Sequence, residues 1–263
     1  MQEIAGMYER VIKNLDTDLK VSKNVLDSFM IHDTLNPNIW ENEVMKPEIK
    51  KELIKIARDF FKNLKLSPNI KMKDILFVGS MANYNWSDFS DIDMHIVVDF
   101  SEFKEDEDFI KKYFDAEKNL WNQKHNIKMF GYDVELYVQE LKEKLESSAV
   151  YSIPNDKWIV KPEKTRFKLD KKVIKRKVEN LFHKLEDIEH SYDDKKYQEV
   201  IDNVDTLKDY IKKMRKSGLQ RGGEYSTENI IFKILRRTDF IEILDNYKNK
   251  AYDLMATLNE EQP

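Results

Sequence analysis

Apolar residues recur along this chain in two rhythms, and the change of rhythm divides it. Ile49, Leu53, Ile56, Phe60 and Leu64 fall at helical spacing after Pro47, predicting a helix to about Lys65. Residues 3–31 also read as helical, with a break near Asp16-Thr17-Asp18. Residues 32–44, carrying Pro37 and several Asn, read as a loop, and Pro68-Asn69 close the helix that follows. The period then shortens. Ile75-Leu76-Phe77-Val78 is a short apolar run, and 91–98 and 131–138 follow strand-like patterns, so strands are predicted at about 74–79, 91–98 and 131–138. A helix at about 105–125 joins the last two. Residues 152–167, with Pro154 and Pro162, read as a connector with one or two short extended pieces.

Helical spacing then returns. Ile174, Val178, Leu181, Phe182, Leu185 and Ile188 make one stripe; Tyr197, Val200, Ile201, Val204, Leu207, Ile211 and Met214 make a second. Gly218 and Gly222-Gly223 read as a sharp break. Ser226 or Thr227 is a plausible N-cap for a helix to about Arg237, and a last helix runs from Asp239 to about Leu258. These elements predict an α+β protein: a small mixed β-sheet core with flanking helices, followed by a C-terminal helical bundle. The expected divisions are a helical region at 1–70 packing on the core, an αβ core at 71–167 and a helical domain at 168–263.

Composition narrows the chemistry. The chain has 263 residues, 36% of them charged, and a net charge of −4. It has no Cys, which excludes disulfides, zinc–thiolate sites and thiol nucleophiles. Neither a signal-peptide core nor an apolar run long enough to span a bilayer is present, so no membrane association and a cytoplasmic location are expected. Residues 1–150 carry 21 Lys/Arg against 28 Asp/Glu, and residues 151–263 carry 24 against 21. Ten basic residues between Lys157 and Lys177 would suit a polyanion, although a solvated linker and helix face is the simpler account. There is no Gly-Lys-Ser/Thr phosphate loop, no Gly-x-Ser-x-Gly elbow and no paired-His metal motif.

The chemistry concentrates where the first predicted strand ends in Gly79-Ser80 and the second opens with Ser90-Asp91-Ile92-Asp93. Asp91 and Asp93 are two apart in a strand-like segment, so both side chains are expected on one face. Two carboxylates projected together repel unless a cation joins them, and hard oxygen ligands suit Mg²⁺. A Gly-Ser turn beside them offers backbone amides and a hydroxyl to a phosphate. The combination reads as phosphoryl or nucleotidyl transfer. His95 falls on the same face as either an outer partner or an ordinary strand histidine.

This arrangement resembles the nucleotidyltransferases of the DNA polymerase β-like superfamily, whose signature is Gly-Ser, then Asp-x-Asp on the next strand, then a third carboxylate on a later one. More narrowly, Gly-Ser-x-Ala-Asn-Tyr-Asn-Trp before Ser-Asp-Ile-Asp, and Val-Glu-Leu-Tyr-Val-Gln at 134–139, look like nucleotidyltransferase-like proteins of large tailed phages. The resemblance implies a Mg²⁺- or Mn²⁺-dependent enzyme that moves an NMP from an NTP to an acceptor hydroxyl. An RNA 3′ end, a small molecule, a protein or another NTP are all open as acceptors. It implies Asp91, Asp93 and Glu135 as catalytic and metal-holding residues, with Asp133 as the alternative third carboxylate. Gly79, Ser80, Asn83, Ser90 and Arg221 are the expected nucleotide contacts, and Lys233, Arg236 and Arg237 are further candidates. Asn83, Tyr84, Asn85 and Trp86 either reach a base or pack into the core. The other function open to this fold is a silent nucleotide- or RNA-binding module or a phage structural protein.

Overall fold

Alternation along the central strands sorts their side chains onto two unlike faces. In a computed structural model, which describes residues 27–257 apart from 146, 166 and 168, the chain is α+β and divides into two compact units, one at 28–166 and one beginning at Phe167. The expected helix at 3–31 lies almost entirely outside the described residues. Among the described residues no helix is long and apolar enough to cross a membrane.

The first unit is built on a six-stranded mixed sheet. Its strands are β3 (Met72–Val78), β4 (Ile92–Val98), β5 (Lys128–Met129), β6 (Tyr132–Glu140), β7 (Val150–Ser152) and β8 (Lys157–Val160), in the spatial order β5-β6-β4-β3-β7-β8. Neighbours are antiparallel except β4 and β6. That parallel pair needs a crossover, supplied by helix α2 (Glu107–Lys124), whose N-cap Asp106 accepts from the Asp108 amide. Helix α1 (Pro47–Asn63) has Pro at its first position and buries Ile49, Leu53, Ala57 and Phe60. These residues join Phe77, Ile92, Met94, Ile96, Leu136 and Val138 from the sheet and Ile110 and Phe114 from α2 in one apolar core. The opposite face carries a smaller apolar cluster, Leu76, Val78, Val97 and Val150, beside a row of polar residues.

Two parts of this unit depart from the sequence reading. Residues 32–44, expected as loop, run into a small hairpin, β1 (Trp40–Glu41) paired with β2 (Val44–Met45). Its two-residue turn places Asn42 and Glu43 at φ 50° and 63°, a geometry usually signalled by Asn-Gly; the Glu conceals it. Trp40 then packs between Phe77, Tyr151 and Trp158 and donates its indole N–H to the Met81 carbonyl at 2.8 Å. The region expected as a connector contributes two strands, β7 and β8, to the central sheet.

The second unit contains α3 (Lys171–Asp193), α4 (Tyr197–Gly222), α5 (Thr227–Arg237) and α6 (Phe240–Ala256), whose apolar stripes face one another. Asp170 and Ser226 cap α3 and α5. Gly218 does not break the chain as expected. It lies inside α4, where a Cβ would come within 2.6 Å of the Glu228 Cβ and 2.8 Å of the Ser226 hydroxyl, so its bareness lets α5 approach α4 closely. The turn comes at Gly223, with φ 65°.

Glu228, at the start of α5, accepts from the Lys177 ammonium at 2.9 Å. That hydrogen bond, aided by the neighbouring Arg221 charge, holds its carboxyl below the ordinary 4.5. The folded chain therefore binds a proton at Glu228 less readily than the unfolded chain, and stability present above pH 4.5 is lost as pH falls through the folded value. In urea denaturation, Lys177→Met should lower the midpoint at neutral pH and leave it nearly unchanged well below pH 4.5, so that the acid limb flattens relative to the parent protein.

Candidate active site

Gly79 is where the site begins. β3 ends at Val78, and the chain bends at Gly79 with φ 78° and ψ −164° into a 3-10 turn at Ser80–Ala82. A Cβ added to Gly79 would overlap the Asp93 Oδ2 and stand 3.0 Å from its Cγ. The Asp93 carboxylate thus rests directly against the glycine. Both the positive φ and the missing side chain are required here.

Strand register carries this contact across the sheet. Val78 is the antiparallel partner of Asp93, and Asp93 is the parallel partner of Glu135. Directly paired residues project to the same face, and all three line one cleft of about 500 Å³. The next row places His95 beside Tyr137, and Gln139 follows two residues further along β6. Lys118, Asn119 and Asn122 of α2, which packs against β6, line the cleft as well, as do Glu143 and Lys144. The Lys118 ammonium lies 5.2 Å from the centre of the Tyr137 ring.

His95 shares a 2.8 Å hydrogen bond, through Nδ1, with the Gln139 Oε1. Gln139 is buried, and burial holds the His95 imidazole below its ordinary 6.5, outweighing the hydrogen bond and the nearby Glu143 charge that favour protonation. A neutral imidazole donating from Nδ1 keeps an accepting lone pair at Nε2.

The loop from Ser80 to Asp91 is closed on itself. The hydroxyls of Ser80 and Ser90 share a 2.7 Å hydrogen bond, and the Ser87 amide donates to the Ser90 Oγ at 2.9 Å. A segment near the described N-terminus braces it from outside. His32 stacks on Trp86 with ring centres 3.8 Å apart, its amide donates to the Tyr84 carbonyl, and the Trp86 indole donates to the Thr34 carbonyl. Asn83 is buried, donating to the Ser148 hydroxyl and accepting from the Tyr84 amide. The aromatic residues of this loop are therefore packed: Tyr84 is buried and Trp86 is held by His32.

Not all of the expected residues meet. Asp93 and Glu135 come together under Gly79, with Ser80 and Ser90 in the adjoining loop. Asp91 stands one residue ahead of β4 and is not among the side chains lining the cleft. Among the described residues no group of three or more His, Asp or Glu side chains is arranged to hold a metal ion. Asp133 is exposed at the sheet edge, paired with Lys128 at 2.9 Å, and does not line the cleft. Arg221 belongs to the C-terminal unit, where its guanidinium is 3.6 Å from Glu228; Lys233 pairs there with Glu224.

The basic run from Lys157 to Lys177 is divided between the two units. Lys161 and Lys164 lie 4.0 and 3.8 Å from Glu43 and Asp33, while Lys175 and Lys177 pair with Glu179 and Glu228. Such pairing describes a compensated surface better than a continuous cationic path.

Several contributors went unnoticed in the sequence. Asn119 and Asn122 share a helix face that reads as solvated. The link between His95 and Gln139 spans 44 residues and has no local signal. His32, Asn36 and Trp40, which hold the motif loop, lie in a stretch that reads as loop. Comparison of the chain with family models, curated proteins and solved structures finds no match.

The contact between Gly79 and Asp93 makes a direct test. Gly79→Ala should cost about 2–4 kcal/mol from backbone strain and overlap together. In an Asp93→Ala background the overlap with the carboxylate is gone, so the same change should cost only about 1 kcal/mol. A double-mutant cycle by urea denaturation should return a coupling of about 1–3 kcal/mol.

Proposed function

We propose that this chain is a Mg²⁺-dependent nucleotidyltransferase that moves a nucleoside monophosphate from an NTP to an acceptor hydroxyl and releases pyrophosphate. The observation that carries the reading is the register pairing of Asp93 with Glu135 in a cleft beside the Gly79 bend. The residues fit the metal by donor chemistry. Mg²⁺ takes hard oxygen ligands and commonly relies on only one or two carboxylates, with substrate phosphates and water completing its shell. Asp93 and Glu135 would hold it, with Asp91 at the start of β4 as a further donor; Mn²⁺ would suit the same ligands. When bound, the ion offsets triphosphate charge and lowers the pKa of the attacking hydroxyl.

The chain's own groups supply position and proton handling. The Ser80 hydroxyl donates to the Ser90 Oγ, which also accepts from the Ser87 amide, so the turn after Gly79 is held in place by the loop's own hydroxyls. The acceptor oxygen forms its bond to the α-phosphorus as the bond from that phosphorus to the bridging oxygen breaks. Pyrophosphate leaves with the electron pair, and the hydroxyl proton passes to the Glu135 carboxylate.

A second reading, a nucleotide- or RNA-binding module that keeps this fold without turnover, draws on the pairing of two carboxylates where three were expected. The two are separated by supplying Mg²⁺ or Mn²⁺ with α-labelled NTPs and following pyrophosphate release. Asp93→Ala and Glu135→Ala should each lower it by roughly 100-fold or more, while Asp133→Asn leaves it unchanged. Metal-dependent NTP binding with no release in the parent protein would favour the second reading. Release that survives both alanine substitutions would defeat the first.

A further inference from the structure

We infer that the acceptor is a small polyhydroxylated molecule, bound on the β6 and α2 side of the cleft among Asn119, Asn122, Tyr137 and the His95–Gln139 pair. The inference rests on the transferase reading and goes on to name its second substrate by class.

Geometry fixes the side. In phosphoryl transfer the attacking and leaving oxygens lie roughly in line across the transferred phosphorus. The Gly79-Ser80 turn, where pyrophosphate would leave, follows β3, while Asp93 and Glu135 stand on the next two strands, β4 and β6. The acceptor must therefore enter from the side of Glu135 away from β3. The cleft continues from Glu135 along β6, lined by Tyr137 and Gln139 and by α2, which packs against that strand.

The lining fixes the class. The Asn119 and Asn122 amides offer both donors and acceptors suited to hydroxyl groups, beside the His95–Gln139 pair and the Tyr137 ring, whose face lies near Lys118. Gln139 is buried and bound to His95, so it orients that imidazole. Two lysines, Lys118 and Lys144, line the cleft beside Asp93, Glu135 and Glu143. The basic residues of this unit at Lys161 and Lys164 face Glu43 and Asp33 and do not line the cleft. A nucleic-acid 3′ end would need a cationic track leading to the carboxylates, and none is among the residues lining the cleft. In the transfer, one acceptor hydroxyl forms the new ester at the α-phosphorus, pyrophosphate departs with the electrons of the broken bond, and the hydroxyl proton goes to Glu135.

The test follows pyrophosphate release by the full chain with Mg²⁺ and each of the four NTPs. It compares water alone, a panel of glucose, glucosamine, myo-inositol and adenosine, and an oligoribonucleotide with a free 3′ end. At least one polyol should raise release about tenfold or more and take up α-label, while the oligoribonucleotide should not. Asn119 and Asn122 are exposed helix positions where alanine is well tolerated. Changing both to Ala should raise KM for that polyol about tenfold and leave KM for the NTP unchanged. Stimulation by the oligoribonucleotide alone, or an unchanged polyol KM in the double variant, would overturn the acceptor assignment and leave the transferase reading standing. So would release that no polyol increases. No pyrophosphate release under any condition would remove both.

Discussion

The Asp93 carboxylate lies against the α-carbon of Gly79, and the rest of the site is positioned by that contact. No side chain fits between them, so the bend after β3 and the orientation of Asp93 are a single constraint. Register then extends it: fixing Val78 beside Asp93 fixes Asp93 beside Glu135. Slipping either pairing by one residue would turn every polar group of the cleft toward the apolar core, a cost high enough to enforce the alignment.

The sheet separates stability from chemistry by face. One face is sealed by α1, α2 and the Trp40 hairpin into a continuous apolar core. The other gathers carboxylates, an imidazole, amides and a phenol that could not be buried without partners. Between them runs the loop from Ser80 to Asp91, whose Met81, Ala82 and Tyr84 join the apolar core. It is kept in place by the Ser80–Ser90 hydrogen bond within and by His32, Thr34 and Trp40 from outside. Trp40 and the His32 amide hold the loop's backbone at the Met81 and Tyr84 carbonyls, and the loop's own Ser80, Ser90 and Trp86 side chains supply the rest.

Period and punctuation made the long elements legible. Seven- and nine-residue strands and helices of 11 to 26 residues leave patterns that survive without context. Three-residue β7 is too short to show an alternation. Gly218 was read by its usual meaning in isolation, whereas its neighbours on α5 give it the opposite one. The Asp93–Glu135 pair was legible because alternation and a flanking motif agreed. The cleft wall from α2 was hidden for a different reason. A polar helix face looks the same in sequence whether it meets water or a ligand.

The parallel pairing of β4 with β6 has a consequence for assembly. Antiparallel neighbours can zip from a tight turn, but these two strands meet only after the whole crossover through α2 has been made, as the 44-residue separation of His95 and Gln139 measures. The entropy of closing that loop must be met before any stabilising contact across it forms. A chain emerging from synthesis therefore carries the Gly79 bend and Asp93 well before it can carry a site, and the pocket is among the last features of this unit to come into being.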